Sequence, residues 1–119
     1  MTATPKWRQA VIRKGRTIAY HVFQQEPPEG CPMTRWRNIF RLVTHLCAYL
    51  PNPEPTQATL AKSARVSERT IRNWMYHAQA VGAIEVKVIP SYHAHLDHNS
   101  YTLRCLEPGW KPCSGPPSG

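Results

Sequence analysis

Four polar side chains between positions 69 and 76 are the residues of this 119-residue chain best suited to chemistry. At 100° per residue they share one face of a helix, and they are Arg69, Arg72, Asn73 and Tyr76. Arginine can form paired hydrogen bonds with guanine, asparagine can do so with adenine, and tyrosine can bind phosphate. The opposite stripe is apolar and consists of Ile71, Trp74, Met75, Ala78 and Val81. The pattern predicts a face that could enter a major groove, or else the solvated side of an ordinary amphipathic helix.

Two helices joined by a tight turn must position that face. Ser67 is a good N-cap and Gly82 can close the far end, so the second helix is predicted over residues 68–81. Thr56 can cap a shorter helix over Gln57–Ala64. The two helices would cross closely, because small and apolar residues recur along both.

The run LAKSARVSERTIRNW resembles the helix-turn-helix core of bacterial and phage DNA-binding proteins. Its apolar and small positions are Leu60, Ala61, Ala64, Val66, Ile71 and Trp74. Arg65 stands where the turn of this family usually has glycine in a left-handed conformation. The turn therefore either contains a strained arginine or has another geometry, as in many winged-helix proteins.

After Gly82 the spacing of apolar residues changes from that of a helix to that of a strand, and this extends the resemblance. Ile84, Val86 and Val88 alternate with polar residues, and Tyr101, Leu103 and Cys105 do the same, which predicts two strands on either side of a loop at 90–99. A hairpin directly after a recognition helix is the wing of a winged-helix domain. We therefore expect an α+β winged helix-turn-helix fold with about three helices, a C-terminal hairpin wing and an N-terminal hairpin or short helix.

The resemblance implies that helix 68–81 enters the major groove of double-stranded DNA and that the wing, residues 90–99, lies on the backbone or minor groove. The residues assigned to base edges are Ser67, Arg69, Arg72, Asn73 and Tyr76. The residues assigned to phosphates are Lys62, Arg65, Thr70, Lys87, His93 and His95. One short recognition helix covers few base pairs, so we expect a homodimer on repeated half-sites.

The predicted wing loop, PSYHAHLDHN, also has residue types that bind metals. Its possible ligands are His93, His95, Asp97 and His98. A loop is a poor preformed cage, and no cysteine lies nearby in sequence to complete a structural zinc site. We therefore predict no metal site and no cofactor, and expect the loop to touch DNA or be solvated. Protonation of His95 and His98 would then strengthen DNA contacts as the pH falls.

A further helix precedes the helix-turn-helix. Thr34 can cap it and Pro51 ends it. Its apolar stripe, predicted to support the core, is Trp36, Ile39, Phe40, Val43, Leu46, Cys47 and Leu50. The opposite side carries Arg35, Arg37, Asn38, Arg41 and His45. It is predicted to be a solvated surface, with phosphate contact as the alternative, because the first helix of such domains sometimes touches phosphate.

The N-terminal 25 residues are basic, with Lys6, Arg8, Arg13, Lys14 and Arg16 and no acidic residue. Alternating side chains on either side of Lys14-Gly15 predict a β-hairpin over Trp7 to Phe23. The alternative is a short helix over Lys6 to Lys14, with Thr4 as the N-cap and Gly15 as the stop. This segment could follow DNA backbone, pair with a second copy or cover the core.

Composition limits the functional classes. The chain has 41% hydrophobic residues, and 15 Lys and Arg against 7 Asp and Glu give a formal charge of +8, which suits a polyanionic partner. Four scattered cysteines and the lack of an apolar leader predict a cytoplasmic protein, and no stretch is apolar enough to cross a membrane. No phosphate loop, G-x-S-x-G elbow or H-E-x-x-H motif occurs, so we expect no enzymatic activity.

These patterns divide the chain into a basic extension (1–25), a Pro-rich linker (26–33), a winged helix-turn-helix domain (34–106) and a disordered tail (107–119). The expected function is that of a small, sequence-specific transcriptional regulator of bacterial or phage type. One alternative is a phage or plasmid replication or recombination accessory factor. An alternative of another class is a winged-helix module that docks on proteins, which should expose more apolar area on the second helix.

Overall fold

The computed structural model describes residues 4–89 and 98–113. In that part of the chain four helices precede a two-stranded antiparallel sheet, so the α+β class is confirmed. The elements are α1 (Lys6–Phe23), α2 (Met33–Cys47), α3 (Gln57–Ala64), α4 (Glu68–Ala80), β1 (Glu85–Ile89) and β2 (His98–Thr102). The layout is compatible with a winged-helix arrangement.

The N-terminal segment is a single helix, α1, so the predicted hairpin is wrong. The alternative helix is correct in type but too short, because α1 continues through Gly15 to Phe23. Gly15 is buried, and a Cβ atom there would lie 2.6 Å from Leu50 Cδ1. Thr4 does not cap the helix; Pro5 occupies the N-cap position, and its carbonyl accepts from the Gln9 amide at 3.0 Å. Gly15 therefore allows a close helix contact here instead of ending the helix.

Helix α2 forms the centre of the core. Pro32 is its N-cap residue and no side chain caps it, so the predicted cap at Thr34 is wrong. Its regular part ends at Cys47, before the predicted end at Pro51. Its fully buried residues are Trp36, Ile39, Leu42, Val43, Leu46 and Cys47. The predicted apolar stripe is thus largely confirmed, with Leu42 added and with Phe40 and Leu50 only half-buried.

Both predicted caps of the helix-turn-helix are confirmed. The Thr56 hydroxyl accepts from the Thr59 amide at 3.0 Å, and the Ser67 hydroxyl accepts from the Thr70 amide at 3.1 Å. Helix α3 ends at Ala64 and is followed by Arg65, whose φ of 59° and ψ of 45° are left-handed. Of the two geometries considered for this turn, the chain has the one with a strained arginine.

After α4, as after α3, a residue in the left-handed conformation caps the helix, and here it is a glycine. Gly82 has φ +77°, and its amide donates to Gln79 O while the Ala83 amide donates to Ala78 O at 2.9 Å. This pair of hydrogen bonds is a Schellman motif, in which glycine needs no strain. The predicted closing role of Gly82 is confirmed.

Strands β1 and β2 pair in the register Glu85 with Thr102 through Ile89 with His98. The second strand is shorter than its sequence pattern, because Arg104–Leu106 turns into a 3-10 helix. Most of the predicted wing loop, residues 90–97, lies outside the described residues.

Residues 107–113 pack on the end of α4, which differs from the predicted disordered tail. The Trp110 indole nitrogen donates to Gly82 O at 3.2 Å, and the Cys113 amide donates to Val81 O at 3.0 Å. Residues 114–119 lie outside the described part of the chain. Residues 107–113 of the predicted tail therefore support the C-terminal end of α4.

Candidate nucleic-acid interface

The outer face of α4 carries the four polar side chains that are predicted to form a face able to enter a major groove. Arg69, Arg72, Asn73 and Tyr76 are all exposed, and together with Thr70 they line one open concave surface. Within residues 4–89 and 98–113, none of these four side chains takes part in an ion pair. The guanidinium groups of Arg69 and Arg72 therefore form no ion pair with the described residues and can bind a ligand.

The side chains of Ser67 and Thr70 take part in hydrogen bonds at the start of α4. The Ser67 hydroxyl is occupied by the cap, and it also lies 2.9 Å from the Thr70 hydroxyl. A hydroxyl oxygen has two lone pairs, so the cap leaves Ser67 limited capacity for a base edge. These two residues mainly fix the start of α4 and the direction in which it points.

Three of the residues predicted to contact phosphate lie on separate elements outside α4. Lys62 on α3, Arg65 in the turn and Lys87 on β1 are all exposed. His93 and His95 lie outside the described residues, as does Asp97, and for His98 only the backbone is described. The predicted phosphate contacts of the wing loop therefore remain predictions.

The base of the wing is fixed to the inner side of α4. Tyr101 of β2 is buried, and its hydroxyl donates to Met75 Sδ at 3.9 Å. Burial raises the pKa of Tyr101, although the hydrogen bond from Asn99 opposes this effect. At the outer end of β1, Val88 is 60% exposed, so the sheet extends away from the core. This arrangement fixes the two strands relative to α4.

Two arginines of α2 border α4, although their sequence pattern favours a solvated face. Arg35 shares a cavity of about 220 Å³ with Tyr76 and His77. The Arg41 guanidinium lies 4.8 Å from the ring centroid of Trp74. Arginine spacing on α2 was visible in the sequence, but the crossing that brings this side of α2 beside α4 was not.

The pKa values of two histidines are lowered by burial and by the positive charge around these helices. Burial lowers the pKa of His45, and the guanidinium groups of Arg41 and Arg16 lower it further. Its Nδ1 atom lies 3.2 Å from the Ser63 hydroxyl on α3. Burial also lowers the pKa of His77, with a smaller effect from Arg35. Positive charges from α1 and α2 thus meet near His45.

One arginine is not available for a polyanion. Arg104 donates to Glu85 Oε2 from Nη2 at 2.6 Å and to Glu107 Oε1 from Nη1 at 2.8 Å. These ion pairs connect β1 to the segment that supports the end of α4. Their role is therefore structural.

The thiols show no arrangement suited to a metal. All four cysteines are free, and burial raises the pKa of Cys47 to about 11 and that of Cys105 to about 12. In the described ranges no three His, Cys, Asp or Glu side chains are grouped so that they could hold an ion. Neutral buried thiols of this kind pack as small apolar groups.

Comparison with protein-family models, with curated proteins and with solved structures found no match to this chain. Of the described helices, none combines the length and the apolar character needed to cross a bilayer.

Proposed function

We propose that this protein binds double-stranded DNA in a sequence-specific way and acts as a small transcriptional regulator of bacterial or phage type. The observation that carries the proposal is the exposed, unpaired polar face of α4, which begins at a side-chain cap and is supported by α2, α3 and the base of the wing. Such a helix is rigid and projects arginine and asparagine, the residue types that read guanine and adenine. A role as a replication or recombination accessory factor would use the same surface.

In this proposal α4 lies in the major groove and the wing follows the backbone or minor groove. Arg69, Arg72 and Asn73 read base edges, with Ser67 and Tyr76 at the two ends of that row. Lys62, Arg65, Thr70 and Lys87 hold phosphates. A good bidentate pair is worth ~1–3 kcal/mol of discrimination between bases, whereas a phosphate contact stabilises all sequences alike.

The distribution of exposed apolar side chains favours DNA over a protein partner. The large ones among the described residues are Trp7, Tyr20, Met33, Tyr76 and Val88. They are spread over three helices and a strand, and only Tyr76 belongs to α4. A protein-docking face on α4 should gather such residues at its centre.

The first experiment selects bound duplexes from a random pool and then measures the affinity for the selected duplex and for a scrambled one over a range of salt concentrations. A specific regulator should bind the selected duplex more tightly at every salt concentration. Equal affinity for both duplexes, lost steeply with salt, would leave only non-specific charge attraction and overturn the proposal.

The Arg72→Ala variant tests the role of α4. It should weaken binding to the selected duplex by ~1–3 kcal/mol and hardly change binding to scrambled DNA. The matched control is Lys111→Ala, which removes an exposed positive charge outside the proposed surface and should have little effect on either duplex. Equal losses on both duplexes for Arg72→Ala would show that this residue holds a phosphate instead.

We further propose that two copies bind together, because a single α4 covers only a few base pairs. Sedimentation of the free protein and of its complex with the selected duplex should give a dimer on two half-sites. A monomer in both states would refute this part of the proposal.

A further inference from the structure

The excess positive charge of the chain lies entirely on two helices. Helices α1 and α2 contain eight Lys and Arg residues, five on α1 and three on α2, and neither helix contains Asp or Glu. The rest of the chain has seven Lys and Arg against seven Asp and Glu, so it is neutral overall. The helix-turn-helix and the sheet therefore do not account for the formal charge of +8.

Part of this charge lies beside α4. Arg35 of α2 lines a cavity together with Tyr76, and Arg41 of α2 lies over the Trp74 ring. Arg41 and Arg16, which belongs to α1, both lower the pKa of His45, so both positive charges act on that side chain.

Two of the positive charges of α1 lie together on one face of that helix. Arg13 and Arg16 line one open concave surface with Tyr20, which is 53% exposed. We name the four arginines Arg35, Arg41, Arg13 and Arg16 the basic track. In the described part of the chain no carboxylate forms an ion pair with any of them.

We infer that the basic track binds the phosphate backbone of the same DNA duplex that α4 reads, on the flank of the site. This inference rests on the proposed function, because it extends the DNA contact of α4. The occupant follows from charge complementarity, because guanidinium groups match phosphate and no carboxylate of the described residues pairs with the four arginines. The track supplies sequence-independent affinity, and α4 supplies the choice of sequence.

The size of the molecule limits the length of this contact. Its longest dimension is 44 Å, which corresponds to roughly 13 base pairs of B-DNA at a rise of about 3.4 Å. A duplex trimmed to the bases under α4 should therefore bind more weakly than one extended on the track side. Extension beyond roughly that length should add nothing per copy.

The test compares two double variants that each remove two exposed positive charges. Arg13→Gln/Arg16→Gln acts on the track, whereas Lys14→Gln/Lys111→Gln is the matched control, since neither lysine lies on it. With B-DNA, each lost phosphate contact makes the negative slope of log affinity against log salt concentration shallower by about 0.9. The track variant should make the slope shallower by about 1.8 for selected and scrambled duplexes alike, and the control should leave it nearly unchanged.

A second pair keeps the test informative if the first variant does not fold. Arg35→Gln/Arg41→Gln changes only the α2 half of the track and should have a similar effect on the slope. Thermal unfolding of each variant without DNA shows which of them is folded. In addition, the wild-type protein should gain affinity when the duplex is extended on the track side, and the track variants should lose that gain.

The outcomes separate this inference from the proposed function. If the wild-type protein binds no duplex, both fail. If it discriminates the selected duplex but the track and control variants have equal slopes, the inference alone is overturned. If the wild-type protein on an immobilised duplex captures a second duplex through the track, the assignment to the flank of the same duplex is wrong.

Discussion

Helices α1 and α4 both pack against α2 and both have a basic outer face, yet they differ in how that face is built. Helix α4 begins at a serine cap, ends at a glycine and belongs to a part of the chain whose charges balance. Helix α1 begins at a proline without a side-chain cap and has five Lys and Arg and no acid. We expect discrimination from the geometry of α4 and unselective attraction from the charge of α1.

The comparison would fail if α1 were a detachable arm, and Phe23→Ala tests this. Phe23 is 8% exposed, and its ring centroid lies 4.6 Å from that of Trp36. Truncation of a buried phenylalanine should lower the free energy of unfolding by about 3–5 kcal/mol, as measured by urea denaturation. Trp7→Ala on the exposed side of α1 is the control and should change it by less than about 0.5 kcal/mol.

A single cooperative transition is expected for the Phe23→Ala variant. If α1 melted separately while α2 to α4 kept their stability, the helix would be an accessory and not part of the fold.

The second prediction concerns the close contact at Gly15. Gly15→Val places branched carbon atoms where even a Cβ atom meets Leu50 Cδ1, and overpacking of this kind should cost about 1–3 kcal/mol. Ala10→Val adds the same side chain on the exposed face and should cost only about 0.5 kcal/mol through helix propensity. Equal losses in thermal melts of the two variants would show that the Gly15 contact is loose.

The third prediction concerns the turn between α3 and α4. Arg65→Gly relieves the left-handed strain, so it should raise the free energy of unfolding by about 1 kcal/mol. Arg65→Ala removes the same charge but keeps a Cβ atom, so it should give no such gain. A gain of equal size in both variants would assign the effect to charge repulsion.

The fourth and smallest effect is on His45, which lies between Arg16, Arg41 and Ser63. Its pKa is lowered from 6.5, so the folded protein resists protonation and loses stability as the pH falls below that value. Arg16→Gln should raise this pKa in an NMR titration of the ring, because it removes one of the positive charges that lower it, and Lys14→Gln should not. Bound phosphate on the track should raise it as well; an unchanged pKa in the DNA complex would count against the track.

The difference between α1 and α4 also explains what could be predicted from the sequence. The signals of α3 and α4 are local: Thr56 and Ser67 bond to amides three residues further on, and Gly82 adopts its own left-handed conformation. Such signals can be identified in any single sequence.

The signals of α1 are not local. Gly15 looks like a turn or a stop, and its reason for being glycine is Leu50, which lies 35 positions away in the chain. In the same way, Arg35 and Arg41 looked like a solvated face, because only the crossing of α2 and α4 places them beside Tyr76 and Trp74. The outer face of α4 could thus be proposed from the sequence, whereas the position of Arg35 and Arg41 beside α4 could not.

The segment after residue 107 has a consequence for the smallest chain that can fold. Its hydrogen bonds to Val81 O and Gly82 O satisfy carbonyls at the end of α4, although the segment itself is far along the chain from that helix. A protein truncated after Leu106 would keep every helix and both strands but would leave these two carbonyls to water. The amides in the last turn of α4 should then exchange with deuterium faster than in the full chain, because the helix would fray from its C-terminal end.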